Sequence, residues 1–210
     1  NKKSYLNLEM DTEGVVKGSV SSSADKYEST GYRKSLLSGS PEEFFSHELE
    51  EERIAFEVTK SEVKNLKELD KPLKLKSEIN YEPESAGDLL YLDAFLEKYY
   101  TENPFKLEER KYPVDFSYPF QNSYTMVLKL PENVQVEDLP KSVAVSLPDK
   151  TGKFSFVVDY SPEMNNIQVR SSLTLGKTVF APTEYQGLKE FYNLMIEKMQ
   201  AKIVLKKVNN

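Results

Sequence analysis

The chain has 210 residues, which is long enough for one large domain or two small ones with a hydrophobic core. Its net charge of −6 argues against a nucleic-acid partner, which would require a basic face, and its short apolar runs exclude a membrane-spanning helix. There is no cysteine, which excludes disulfides, a thiol nucleophile and cysteine-ligated metal sites.

The first half of the chain alternates apolar and polar residues with a period of two, which is typical of strands with one buried face. Residues 5–22 predict a hairpin around a polar turn at 11–14. A further strand is predicted from Leu73 to Tyr81. The more continuous apolar run at 89–96 predicts a strand that is covered on both faces.

A short acidic helix is expected to interrupt these strands. Residues 40–43 combine a capping Ser, a Pro in the first turn and a Glu at the capping-box position, and the helix should reach about Arg53. It carries the only histidine, His47, beside the carboxylates of 48–52, a pattern typical of a solvated helix face. A general base or metal ligand at His47 is the competing interpretation, but one histidine is too few for the usual transition-metal sites.

The second half of the chain alternates more clearly. Segments 124–130, 154–160 and 167–175 predict three consecutive antiparallel strands, which form a meander. Segment 183–200 predicts an amphipathic helix, because its apolar residues are spaced three and four apart, and 203–205 predicts a final strand. The apolar stripe of this helix is expected to lie across a sheet.

These elements predict a mainly β fold, an antiparallel β-sandwich-like architecture with a short acidic helix and a longer C-terminal helix. Residues 102–105 are the predicted boundary between the two halves of the chain. The predicted organisation is therefore a β-rich half at 1–104, with the short helix near 41–53, followed by the meander and helix at 105–210. The two halves could also form one compact unit.

The sequence offers no recognisable active site. No glycine-rich phosphate loop follows a strand, no segment has the spacing of a calcium loop, and a serine triad would have to use His47. Carboxylates could still act as a pair, but such pairs come from distant positions that sequence cannot identify. The sequence therefore predicts no catalytic residue, no cofactor and no metal ion.

Aromatic residues cluster between residues 112 and 124. Alternation places most of them in the sheet core and leaves one or two rings exposed. Tyr112 and Tyr118 are the candidate surface-binding aromatics, which could stack on a sugar ring or contact a partner protein.

Five segments of the second half resemble the C-terminal module of large transglutaminase-like proteins from Gram-negative bacteria. They are NPFKLEERKYPVDF at 103–116, VEDLPKS at 136–142, SLPD at 146–149, VFAPTEY at 179–185 and IVLKK at 203–207. In that family a β-rich module follows a papain-like transglutaminase core. The resemblance implies export to the periplasm or cell surface, with the upstream transglutaminase-like domain of the same chain as a partner. It assigns no biochemical role to the module itself.

We therefore expect a non-catalytic accessory module of such a protein, which supports the core or presents a binding surface to a protein or glycan at the cell envelope. The alternative is a free-standing carbohydrate- or protein-binding β-sandwich module that uses exposed aromatics. A third possibility is an enzyme with paired carboxylates. A pocket with two facing carboxylates would favour the enzyme, a flat aromatic strip the free-standing module, and a broad apolar patch the accessory role.

Overall fold

The structure, a computed structural model, describes residues 1–208 as a mainly β fold, which confirms the predicted fold class. The strands are β1 (Lys2–Met10), β2 (Val16–Ala24), β3 (Glu57–Lys64), β4 (Leu73–Tyr81), β5 (Glu84–Ala86), β6 (Leu89–Asp93), β7 (Val114–Asp115), β8 (Phe120–Lys129), β9 (Val134–Asp138), β10 (Val143–Ser146), β11 (Gly152–Ser161), β12 (Asn166–Leu175), β13 (Val179–Phe180) and β14 (Lys202–Lys207). The α-helices are α1 (Glu28–Ser38), α2 (Pro41–Glu50) and α3 (Tyr185–Met199), and short 3-10 turns occupy Pro148–Lys150 and Pro182–Glu184.

The largest sheet has eight strands in the order β10-β11-β12-β8-β1-β2-β4-β3. Its neighbouring strands are antiparallel except for β1 and β8, which run parallel. Four of these strands come from residues 1–104 and four from residues 105–210. The β1–β8 pairing joins the two groups, so both halves contribute strands to one sheet. The division into 1–104 and 105–210 stays a prediction.

A four-stranded sheet, β5-β6-β14-β9, and the short pair β13-β7 complete the β structure of the described chain. Buried side chains from the eight-stranded sheet, the four-stranded sheet and α3 form one hydrophobic core. Along β1 every second residue is buried and the residues between are exposed, so this strand has one inner and one outer face. A smaller cluster of Leu36, Phe44 and Leu73 lies where α1 and α2 meet β4.

Several local predictions are confirmed. The capping box of α2 forms as expected: the Glu43 N–H donates to Ser40 Oγ at 3.2 Å, and the Ser40 N–H donates to the Glu43 carboxylate at 3.0 Å. The predicted C-terminal helix is α3, and its whole apolar stripe is buried. No helix in the described part of the chain is long and apolar enough to cross a membrane.

Two predictions are wrong in detail, and one helix was not predicted. Strand β8 pairs with β12 rather than with β11, so only β10, β11 and β12 form a meander. The run at 89–96 is a strand only as far as Asp93, and Leu90 and Leu92 are buried while their neighbours are half-buried; residues 94–96 continue as a fully buried loop. Helix α1 was not predicted, because its inward positions include the polar Ser29 and Arg33.

Candidate functional site

The inner face of the eight-stranded sheet is polar at one end. On β1, Leu6, Leu8 and Met10 are buried in the core, and Lys2 and Ser4 continue the same buried register. Strand β8 repeats this change, because its inward residue nearest to Lys2 is a buried asparagine rather than an apolar residue. The parallel pairing places that residue, Asn122, opposite Lys2.

A buried ion pair lies at this polar end. Lys2 Nζ is 2.7 Å from Glu97 Oε1 and donates to the Tyr32 hydroxyl at 2.7 Å. The Ser22 hydroxyl donates to Glu97 Oε2 at 3.2 Å. Burial alone would lower the pKa of Lys2, but the Glu97 carboxylate raises it above its ordinary value. Burial would likewise raise the pKa of Glu97, but the Lys2 ammonium holds it below its ordinary value, so both groups stay charged.

The backbone around Glu97 is fixed by hydrogen bonds to two other parts of the chain. The Ala55 N–H donates to the Leu96 carbonyl at 3.0 Å, and the Lys98 N–H donates to the Arg53 carbonyl at 2.8 Å. On the other side, the Leu96 N–H donates to the Tyr124 hydroxyl at 3.1 Å. These bonds hold the carboxylate of Glu97 opposite Lys2.

An open cleft of about 370 Å³ is lined by Lys2 of this pair, and we call it the Lys2 cleft. Its walls come from α1, the end of α2, the loop that follows Glu97 and the turn before β8. The lining residues that matter for its chemistry are Lys2, Arg53, Tyr99, Tyr100, Tyr118 and Asn122. A second, small cavity of about 30 Å³ is also lined by Lys2, together with Glu48 and Glu97.

One buried polar atom on the lining of the cleft, Asn122 Oδ1, has no hydrogen-bond partner among the described residues. Asn122 is 7% exposed. Leaving such a group without a partner costs about 1–3 kcal/mol, so native proteins rarely keep one without a reason. Burial also raises the pKa of Tyr99, whose hydroxyl lies beside the buried Ser171 hydroxyl. The cleft therefore offers the Asn122 amide to a ligand.

The aromatic residues of the cleft are held by other aromatic rings. Tyr118 stacks on Tyr27 with ring centroids 5.0 Å apart, and Tyr100 meets Tyr192 edge-on at 5.2 Å. Of the two candidate aromatics, only Tyr118 lines the cleft. Tyr112 is 80% exposed and does not line it, so the structure does not bring the two together in this site.

Two carboxylates beside the cleft, Glu48 and Glu97, are paired with cations. Glu48 was expected on a solvated helix face, but it is buried and accepts a hydrogen bond from Arg53 at 3.1 Å. Glu48 and Glu97 both line the small cavity, which is the arrangement that would favour an enzyme. A glycosidase, however, needs a general acid with a raised pKa, and the pKa of Glu97 is lowered. His47 is exposed, as predicted, and residues 1–208 contain no cluster of three His, Asp or Glu side chains that could hold a metal ion.

Most residues of the cleft were not predicted from the sequence. A usable signal was present for two of them: Lys2 has the same period-two phase as Leu6, and Asn122 has the same phase as Tyr124. A polar residue in an inward phase indicates a buried polar group, which needs a partner or a function. Glu97 and Tyr99 carry no such signal, because they lie in a loop.

Comparison with known families identifies the second half of the chain. A family model described as "Domain of Unknown Function with solved-structure structure" (DUF3858) matches residues 88–205, more than half of the chain. The chain belongs to the DUF3858 family. No curated protein and no solved structure matches it. The DUF3858 segment supplies Glu97, Tyr99, Tyr118 and Asn122, whereas Lys2 and the two helices of the cleft come from the residues before it.

Proposed function

We propose that this chain is a non-catalytic accessory module of a larger exported, transglutaminase-like protein, and that it presents the Lys2 cleft as a binding surface. The observation that carries the proposal is the buried Asn122 amide, whose Oδ1 has no partner among the described residues, in an open cleft with fixed aromatic rings.

The charge pattern of the cleft supports a binding role over a catalytic one. Lys2 is neutralised by Glu97, and Arg53 is paired with Glu48. A general acid or base must exchange its proton near the working pH, whereas the buried pair stays charged on both sides. The chain also has no cysteine for a thiol nucleophile, and its only histidine is exposed on α2.

The link to transglutaminase-like proteins rests on the resemblance of five segments, all of which lie within or end close to the DUF3858 region. The proposed place of action is the periplasm or cell surface, and the proposed partners are the upstream core and a protein or glycan of the cell envelope. In this arrangement the module positions the core at its substrate, and the core performs the chemistry.

The test compares the parent protein with and without residues 1–210 of this module. Turnover of a small soluble amide or amine substrate should be unchanged, because the module contributes no catalytic group. Retention of the parent on isolated cell-envelope material should fall, because the cleft is lost. Loss of kcat on the small substrate, or turnover by the module alone, would contradict the proposal.

A free-standing carbohydrate- or protein-binding module is the second candidate. The stacked Tyr118–Tyr27 pair at the rim favours it, since fixed rings are common in binding sites. The two candidates use the same cleft and differ in whether a transglutaminase-like core lies upstream. The sequence of the full-length gene product decides between them.

A further inference from the structure

We propose that the Lys2 cleft binds one or two rings of a neutral saccharide. This inference rests on the proposed function, because it names the ligand of the surface that the module presents. Four properties of the cleft lead to it: its size, its compensated charges, its partnerless Asn122 amide and its fixed tyrosine rings.

The size of the cleft fits a small ligand. Its volume of about 370 Å³ lies near the lower end of the range for small-molecule sites, which is about 300–1,000 Å³. A folded protein would need a much larger contact area to bind stably. The cleft therefore accommodates a short part of a chain-like ligand or a small free molecule.

The charges of the cleft favour a neutral ligand. The Lys2 ammonium lies 2.7 Å from the Glu97 carboxylate, and the Arg53 guanidinium lies 3.1 Å from the Glu48 carboxylate. A strongly anionic or cationic ligand would have to compete with these existing pairs. Lys98 and Glu28 also lie on the lining, as a further cation and a further carboxylate. An acidic sugar is the nearest competing ligand and has its own place in the test.

The uncharged polar groups suit hydroxyl-rich ligands. The amide of Asn122 takes part in none of the side-chain hydrogen bonds found within residues 1–208, and its Oδ1 is buried without a partner. An amide both donates and accepts hydrogen bonds. A sugar hydroxyl also does both, so the hydroxyls on one edge of a sugar ring suit the Asn122 amide.

The tyrosine rings suit the other side of a sugar ring. A pyranose carries hydroxyls on its edge and C–H groups on its faces, and the C–H groups are attracted to the negative face of an aromatic ring. Tyr118 is held by its stack on Tyr27, and its pKa is raised by burial and by the neighbouring Glu28 carboxylate. We therefore place the C–H face of the sugar on Tyr118 and its hydroxyl edge towards Asn122.

Isothermal titration calorimetry on the 210-residue chain tests this inference, with maltose, cellobiose and N,N′-diacetylchitobiose as probes. At least one should bind with a millimolar or tighter Kd. Tyr118→Ala should weaken that affinity about tenfold, and Asn122→Ala about fivefold. Tyr118→Phe, which keeps the ring, should retain most of the affinity. Tyr112→Ala is the matched control, because it removes an exposed tyrosine outside the cleft, and it should change nothing.

Two further arms separate the competing outcomes. Binding of a neutral saccharide should be the same at low and high salt, because no net charge is recognised. Galacturonate that binds more tightly than every neutral probe, with an affinity that falls as salt rises, would overturn the neutral ligand class. A tetra-alanine peptide that binds in the cleft where no saccharide does would overturn the saccharide but leave the accessory binding role standing. Saccharide binding that is equal in Tyr118→Ala and in the unchanged chain would overturn the site.

Discussion

Replacing Lys2 by methionine removes the cation of the buried ion pair and keeps most of its apolar stem. The two side chains are 10% and 12% exposed, so the Glu97 carboxylate would be left almost fully buried without its countercharge. The Ser22 hydroxyl would remain as a donor but carries no charge. Breaking a buried pair in this way costs about 3–5 kcal/mol of the free energy of unfolding.

Urea unfolding followed by circular dichroism at pH 7 measures this loss. The partner variant Glu97→Gln and the double variant complete a cycle, and the two changes together should cost less than their sum by about 1–3 kcal/mol. A loss below about 1 kcal/mol in Lys2→Met, with additive effects in the double variant, would refute the reasoning.

The pair also predicts how stability depends on pH. The pKa of Glu97 is lowered in the folded state, so its contribution is complete above the ordinary value of 4.5 and is lost as pH falls through the folded-state pKa. The pKa of Lys2 is raised, so its contribution is complete below 10.5 and is lost as pH rises through the folded-state pKa. On acidification, the Lys2→Met/Glu97→Gln variant should lose less of its free energy of unfolding than the unchanged chain. An equal loss in the two proteins at low pH would contradict this assignment.

Phe156→Ala should destabilise the chain by about 3–5 kcal/mol in urea unfolding, because Phe156 is fully buried, and a loss below about 1 kcal/mol would contradict its place in the core. Arg33→Lys should speed amide hydrogen exchange in the loop 65–72, because the guanidinium donates to four carbonyls there and an ammonium cannot reach all of them. Unchanged exchange would show that the loop stays ordered without these hydrogen bonds. Gly18→Ala should cost more than about 1 kcal/mol by the same unfolding assay, because its Cβ would clash with the Asn7 carbonyl oxygen, and a neutral effect would mean that β1 and β2 can separate there. The fragment 105–210 alone should lack a cooperative unfolding transition, because β8 would lose β1 and β14 would lose β6, and a cooperative transition would show that it is an independent domain.

Local sequence patterns account for much of the fold. The capping box at Ser40 and Glu43 depends on residues three apart, and the stripe of α3 depends on residues three and four apart, so both are visible in sequence. The order of the strands in the sheet cannot be predicted from local patterns. Strand β1 pairs with β8, which lies more than 100 residues away, and alternation gives neither the partner of a strand nor its direction.

The site was hidden because its residues are brought together by those long-range pairings. Glu48 belongs to a run of carboxylates that is typical of a solvated surface, yet its helix turns it towards Arg53 and the cavity. Helix α1 was missed for a related reason: two of its three buried residues, Ser29 and Arg33, are polar, so no apolar stripe marks it. Arg33 is buried because carbonyls from a distant loop receive its donors.

The side-chain amide signal of Asn122 gives the most direct measurement of the central claim, that the Lys2 cleft is a binding site. In a ¹⁵N-labelled chain this signal can be followed by NMR while N,N′-diacetylchitobiose, maltose or cellobiose is added. We expect saturable shifts of the Asn122 amide and of the backbone signals of 98–101, with Tyr112 unaffected. Shifts confined to residues outside the cleft, or no saturable shift of Asn122 with any of the three probes, would contradict the account.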